Sequence, residues 1–322
     1  MNIYLTYDYE LYFGANTGTV HNCLLHPTNK LLCIANAHNA KITLFVDAGF
    51  IYKLQQQCKQ FPQLKTDYEL IHQQLANADA AGHAIQLHIH PHWEDSYYDG
   101  AQWVMKTERY KLSDFSKADA HNIIINYTKA LQNCIHTPIT AFRAGGWCAQ
   151  PFEHFATTLL QLNITTDSSV FVGGKNTLQP YEYDYTAAPN KDIWRFTNNV
   201  IAPVANGAFT QLPIASYKYS PLFYWNLFVR GKLNKGLHSP IGKGNPIAQT
   251  NFKAKVLSKG MLFCACADGY YTSKLATIIK LNATAQHLVI IGHPKAQTLY
   301  SILQTNVLLQ QFSTTHKFVA MR

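Results

Sequence analysis

Short apolar runs that end on polar residues alternate with amphipathic stretches along most of this 322-residue chain. Strand signals fall at about 3–7, 41–46, 85–89, 138–143, 164–171, 261–265 and 288–291. Helix signals lie between them. The segment from 27 to 39 carries Pro in its first turn, and Thr66 with Glu69 reads as a capping box for a helix that stops near Gly82. Ser116 with Asp119 opens another helix, and further ones are expected over about 152–162, 271–281 and 297–312. A repeated β-then-α rhythm implies parallel strands joined by right-handed crossovers. From about 173 to 260 the rhythm breaks into segments rich in Gly, Pro, Asn and Tyr. One barrel-like α/β domain over 1–322, with a long excursion at 173–260, is the economical reading.

The strand ends carry the chemistry. Ile85, Leu87 and Ile89 form a strand that runs out at Pro91, which has no N–H for a ladder, and His88, His90 and His92 interleave with them. A strand end opening into a loop is where α/β enzymes place reactive groups. Imidazole is the commonest zinc-type ligand, and two or three from one short segment can meet on one ion. The plain alternative is a surface loop in a chain with 15 His. Asp8 and Glu10 close the first strand; Arg143, with Gly145 and Gly146 behind it, closes another; Asp167 lies in a third; His293 stands before Pro294 after the last strong strand. Each has a bland reading, as a loop acid, a salt-bridging arginine or a capping histidine. Their occurrence in order, at the same end of successive strands, raises them together.

Composition narrows the class. Apolar residues make up 47%, ample for a large core, and no apolar run approaches the ~20 residues of a membrane-crossing helix. Met1 leads straight into the first strand with no visible signal peptide, and the 7 Cys show no C-x-x-C spacing. A cytoplasmic, reducing compartment is the expectation. Net charge is +9, but only 14% of residues are charged and no recognition motif accompanies them, so nucleic acid is not an expected partner.

The ordered strand ends resemble the polysaccharide deacetylases of the NodB-homology class, carbohydrate esterase family four. Thr6-Tyr7-Asp8-Tyr9-Glu10 resembles their first motif. Gly82-His83-Ala84-Ile85 leading to His88 and His92 resembles the second, and Arg143-Ala144-Gly145-Gly146 the third. Asp167 matches the fourth and His293 the last, while 40–49 looks like the family's second strand. The resemblance implies an irregular (β/α) barrel of about seven strands and one divalent metal, zinc foremost, on Glu10, His88 and His92. It implies Asp8 as general base, Arg143 as its orienter and His293, paired with Asp167, as the acid that protonates the leaving amine. An N–H near Gly145 or Gly146 would serve the oxyanion. The Asp-x-Glu spacing departs from the adjacent Asp pair of the family, so the swapped assignment, with Asp8 on the metal, stays open. Glycine at 146, where the family has an aromatic, changes the substrate wall. His90 is set opposite to His88 and His92, substrate-facing or structural. Trp93 and Trp147 are candidate sugar-ring faces beside core packing, which serves equally well for each.

Residues 216–232 place Phe223, Tyr224, Trp225 and Phe228 between Lys218 and Arg230, and no Asp or Glu occurs from 218 to 259. A buried strand-and-loop insertion is one reading. A peripheral contact with an inner membrane surface is the other. The expected activity is metal-dependent removal of an N-acyl group, acetyl foremost, from an amino-sugar-containing glycan or glycolipid, with a lipid- or nucleotide-linked intermediate favoured over an external polymer. A silent carbohydrate-binding or scaffold protein on the same barrel, or a hydrolase of a non-sugar amide, are the alternatives.

Overall fold

The computed structural model describes residues 1–247 and 252–322, so positions 248–251 of the long excursion lie outside the described residues. β1 (Asn2–Tyr9) leads through a π-helical turn at His21–Leu25 into α1 (His26–Ala37), followed by β2 (Ile42–Asp47) and α2 (Ala48–Gln57). α3 (Gln63–Ala80) precedes β3 (Ala84–Ile89) and a ribbon of β4 (Tyr97–Tyr98) and β5 (Trp103–Val104). Then come α4 (Lys117–Gln132), β6 (Ala141–Ala144), α5 (Ala156–Gln161) and β7 (Thr166–Asp167). β8 (Lys175–Asn176) pairs with β9 (Tyr183–Asp184), and β10 (Trp194–Phe196) with β11 (Phe209–Gln211). β12 (Ser216–Tyr219), α6 (Pro221–Leu233), α7 (Lys235–His238), α8 (Phe252–Lys259) and β13 (Met261–Cys264) make a side module. α9 (Leu275–Leu281), β14 (His287–Gly292), α10 (Leu299–Phe312) and β15 (Lys317–Phe318) follow.

The main sheet runs β10-β11-β7-β6-β3-β2-β1-β14, with β15 also on β1. From β11 to β14 every pairing on this path is parallel, which gives seven parallel strands, the expected number: β11, β7, β6, β3, β2, β1 and β14; β10 is an antiparallel edge. β11, from within the expected excursion, takes the place of the strand expected over 261–265, which as β13 pairs antiparallel with β12 outside this sheet. The sheet curls until Ile214, just past β11, bridges Phe171 on one side and Val289 of β14 on the other. Those single bridges in place of a full ladder make the barrel irregular. β2 and β3 are buried throughout, as parallel strands covered on both faces must be. Their apolar runs therefore read as continuous rather than alternating.

Two further local expectations change. α3 starts at Gln63 behind Pro62, with no side-chain cap, so Thr66 and Glu69 lie inside the helix and form no capping box. Proline fixes the first turn's φ and supersedes the later signal. The strand expected over 164–171 is only Thr166–Asp167, because Ser168 and Ser169 turn their groups to side-chain bonds at the barrel mouth. Ser116 does cap α4, accepting the Asp119 N–H.

Candidate active site

The reactive residues gather at the C-terminal ends of the parallel strands. Register places Asp47 of β2 beside His88 of β3, and His88 beside Arg143 of β6, so one row of polar side chains crosses three strands. Tyr7 of β1 pairs with Gly292 of β14, which sets Asp8 and Glu10 near His293.

Arg143 is fully buried and spends its guanidinium on fixed partners. Nη1 donates to Asp8 Oδ1 at 2.6 Å, Nε to the Ser168 carbonyl at 2.9 Å, and Nη2 to Thr6 Oγ1 and Ser168 Oγ. The Phe45 ring lies 4.0 Å below it. One oxygen of Asp8 is thus locked while Oδ2 faces inward, 3.9 Å from both His88 Nε2 and His293 Nε2. Asp167 serves this arrangement from behind. It accepts from the N–H and Oγ of Ser169, whose Oγ accepts the Ala144 N–H. Burial pushes its carboxyl up to about 6 against the pull of Ser169 and Arg143.

Glu10 Oε2 stands 3.2 Å from His88 Nε2 and 2.7 Å from His90 Nε2, and the two Nε2 atoms are 3.1 Å apart. All three side chains are buried. Ligands at ~2.0–2.1 Å from one tetrahedral ion stand ~3.3 Å from each other, so this triangle has the size of a coordination face. His88 Nδ1 donates to the Arg143 carbonyl at 2.9 Å, which leaves the neutral ring's Nε2 as a lone pair aimed at a carboxylate. Two acceptors facing each other at that distance need a cation or a proton between them. The residues present therefore fit a divalent ion. Burial opposes charge on Glu10, but Lys295, His90 and His88 outweigh it and hold its carboxyl well below the usual range. Burial pushes His90 down to about 4, neutral and ready as a ligand.

His92 does not join this cluster, which corrects its assignment as a ligand. β3 ends at Ile89, and Pro91 opens a 3-10 turn over Pro91–Glu94 that carries His92 off the strand face. There it stacks on Tyr110 and approaches Ser96 Oγ. His90 keeps extended backbone and takes the place instead. His90 lies on the same side as His88 and not opposite to it, because residues two apart in extended backbone share a face. Of the two carboxylates, Asp8 and Glu10, it is Glu10 that reaches both imidazoles.

His293 pairs with Asp268, not with Asp167. Nδ1 of His293 lies 2.7 Å from Asp268 Oδ2, and its backbone N–H donates to Asp268 Oδ1 at 2.7 Å. Asp167 is occupied with Ser169 on the far side of Arg143. Burial opposes the imidazolium, but Asp268, Asp8 and Glu10 together raise the His293 pKa above its ordinary value. Asp268 follows the strand expected over 261–265 and carries the same strand-end signal as Asp8, so it was within reach of the sequence.

Lys295 has no such signal. It is buried, with Nζ 2.8 Å from Glu10 Oε1 and 2.6 Å from the Leu11 carbonyl, between the rings of Tyr12 and Phe13. It takes one oxygen of Glu10 and leaves the other to the histidines. Asp47 was also missed. Its carboxyl is pushed up to about 7 by burial, against the attraction of His88.

Gly145 and Gly146 make room for the rings. A Cβ on Gly145 would lie 2.4 Å from His90 Nδ1, and one on Gly146, at φ 57°, 2.7 Å from the Tyr110 ring. Trp93 is not a substrate face. Its indole N–H donates to Asp47 Oδ2 at 2.6 Å, and its ring is enclosed by Phe50, Trp103 and Phe13. Trp147 is half-buried against Phe171, Tyr183 and Phe263. Beyond Tyr183 lies a cavity of about 980 Å³ whose wall includes Lys111, Gln150 and Glu182. It holds none of the reactive groups named above, so the histidine cluster is the candidate site.

No known family model and no curated protein matches the sequence. The structure is similar to a candidate polysaccharide deacetylase from Mycobacterium smegmatis, at 13% identity and a TM-score of 0.52, over 99% of this chain and 87% of that one. The polysaccharide deacetylase Bc1974 from Bacillus cereus matches at 13% identity and a TM-score of 0.39, over 100% and 92%. With its curled sheet of parallel strands closed by single bridges, the chain has the fold of a polysaccharide deacetylase.

Proposed function

We propose that this protein is a metal-dependent hydrolase that removes an N-acyl group, acetyl foremost, from an amino-sugar-containing substrate. One observation carries the reading: a buried two-histidine, one-carboxylate cluster lies beside an arginine-locked Asp8 and an aspartate-locked His293, whose facing atoms are 3.9 Å apart. An oriented base and an oriented acid next to one ligand set favour catalysis over a silent binding role.

Glu10, His88 and His90 would hold the ion, with zinc suited to this N/O set, and it would supply polarisation of the acyl carbonyl and a more acidic water. The chain's own residues do the rest. Asp8, aimed by Arg143 through its other carboxylate oxygen, takes the proton of the attacking water through Oδ2. The water oxygen bonds to the acyl carbon, forming a tetrahedral intermediate. His293 then gives its Nε2 proton to the nitrogen as the C–N bond breaks, leaving a carboxylic acid and a free amine. Asp268, accepting from Nδ1–H, orients the ring and supports the imidazolium whose Nε2–H is the donor. Lys295 neutralises Glu10 on its outer oxygen, which limits the charge that binding an ion must balance.

The test is release of acetate and free amine from N-acetylated amino-sugar oligomers by zinc-loaded protein, against chelator-treated protein and Asp8→Asn. Equal release by all three, or none by the loaded enzyme on sugar amides alongside turnover of a simple amide, would overturn the reading.

A further inference from the structure

α6 is apolar on two faces, and only one of them is covered. Phe223 and Tyr224 pack with Tyr219 of β12 and Val256 of α8 in a small core separate from that of the barrel. On the other side Leu222, Trp225, Val229 and Leu233 are 71%, 54%, 47% and 80% exposed. At 100° per residue these four fall within an arc of about 80°. Arg230 flanks the stripe on one side and Lys232 on the other, both exposed. Lys218, Lys235, Lys253, Lys255 and Lys259 are exposed on the neighbouring elements of the module. No Asp or Glu occurs anywhere between Asp192 and Asp268.

We infer that α6 docks this protein on an anionic lipid surface, with the Leu222–Leu233 stripe in the headgroup region and the lysines on lipid phosphates. Charge selects this occupant. A helix with a bare apolar stripe and cations on both borders matches a negatively charged interface, and the side module offers no carboxylate to a basic partner. The aromatic run is therefore neither wholly buried nor wholly exposed: Phe223 and Tyr224 build the module, and Trp225 faces outward.

The surface connects to the site through a short path. The turn Gly269–Lys274 starts directly after Asp268, and its Tyr270 and Tyr271 pack on Phe223 with ring centroids 5.3 and 5.2 Å apart. Phe263 of β13 in turn meets Trp147. Resting on the hydrolase reading, a lipid-linked amino sugar is then the substrate class this placement favours.

Vesicle flotation tests the docking without any substrate. The full chain is mixed with vesicles of phosphatidylcholine alone, and of phosphatidylcholine with phosphatidylglycerol, at low and high salt. Flotation with the anionic vesicles at low salt, and release at high salt, is expected. Lys232→Gln/Lys235→Gln should weaken partition about fivefold per lysine. Leu222→Gln/Trp225→Gln should weaken it at least ~tenfold, with the far-UV spectrum and thermal midpoint unchanged because these side chains are exposed. No flotation, equal flotation with neutral vesicles, or variants that float like the parent would overturn the inference. So would a dimer at micromolar concentration that Leu222→Gln/Trp225→Gln converts to monomer, since a second copy would then own the stripe. Failure of the docking leaves the acyl-hydrolase assay untouched.

Discussion

Asp268 holds His293 at two points, accepting the backbone N–H on one carboxylate oxygen and meeting ring Nδ1 with the other, both at 2.7 Å. A residue gripped at backbone and ring has one orientation and one tautomer. Gln297 Nε2 donates to the same carboxylate at 3.1 Å and fixes it in turn. Nε2 is left for the leaving nitrogen.

Asp268→Asn is therefore expected to lower kcat by ~10²–10⁴-fold through the wrong tautomer, while KM and metal content stay near the parent's. Removing the carboxylate also removes a cause that raises the His293 pKa. The rate falls on the alkaline side when the acid loses its proton, so that limb should move to lower pH in the variant. A unchanged limb with normal kcat would remove Asp268 from the proposal.

The metal set makes a sharp distinction between two histidines two positions apart. His90→Ala should lose tight zinc binding, as should His88→Ala, because each imidazole reaches Glu10 Oε2. His92→Ala should keep it, since that ring faces Tyr110 and Ser96. Metal stoichiometry by elemental analysis, after dialysis against a weak chelator, reads this directly. Loss in His92→Ala with retention in His90→Ala would return the site to the i,i+4 pair.

Gly145→Ala tests the packing that presents His90. The added methyl meets the imidazole 2.4 Å from Nδ1, with little room behind, so the ring must leave its position. Zinc affinity should fall ~10–100-fold, the usual effect of disturbing what orients a ligand. Gly231→Ala in α6 is the control. Nothing lies within 4 Å of its Cβ, so it should raise stability slightly, by ~0.5–1 kcal/mol, and leave zinc affinity alone. Equal affinity in the two variants would show that His90 has slack.

Much of this was legible in the sequence, and most of what was not depends on turn geometry and long-range pairing. The parallel strands were visible because buried strands are unbroken apolar runs, and Asp8, Glu10, His88, Arg143 and His293 because strand ends concentrate polar residues. The turn geometry after β3 was not visible: whether His90 or His92 stays on the strand face depends on where Pro91 starts its turn. Pairings across the barrel were equally hidden. His293 lies 25 residues from Asp268, and Lys295 lies 285 from Glu10; no local pattern chooses among carboxylates at that range. Trp93, open between a sugar face and core packing, belongs to the core, and the sequence could not choose for a different reason. A tryptophan beside histidines looks the same in sequence whether its N–H faces a sugar or a buried Asp47.

His83 offers a test of stability rather than rate. It is buried at the start of β3, where Nδ1 accepts the Ile42 N–H at 3.1 Å and Nε2 meets Asn36 Oδ1 at 3.1 Å. The neutral Nε2–H tautomer satisfies both bonds, while protonation of Nδ1 would set two donors against each other. Burial first, then Lys41 and Arg322, push its pKa down to about 4 from 6.5. The sign follows from linkage. With the folded pKa below the unfolded one, the unfolded chain binds the proton first as pH drops. The stability this group contributes is complete above about 6.5 and is lost progressively as pH falls to about 4. Denaturant midpoints measured across that window should fall more steeply for the parent than for His83→Gln, which cannot titrate, and the two curves should run parallel above it. Parallel curves throughout would mean that His83 opens to water before it protonates, and that the β2–β3 edge is looser than its hydrogen bonds imply.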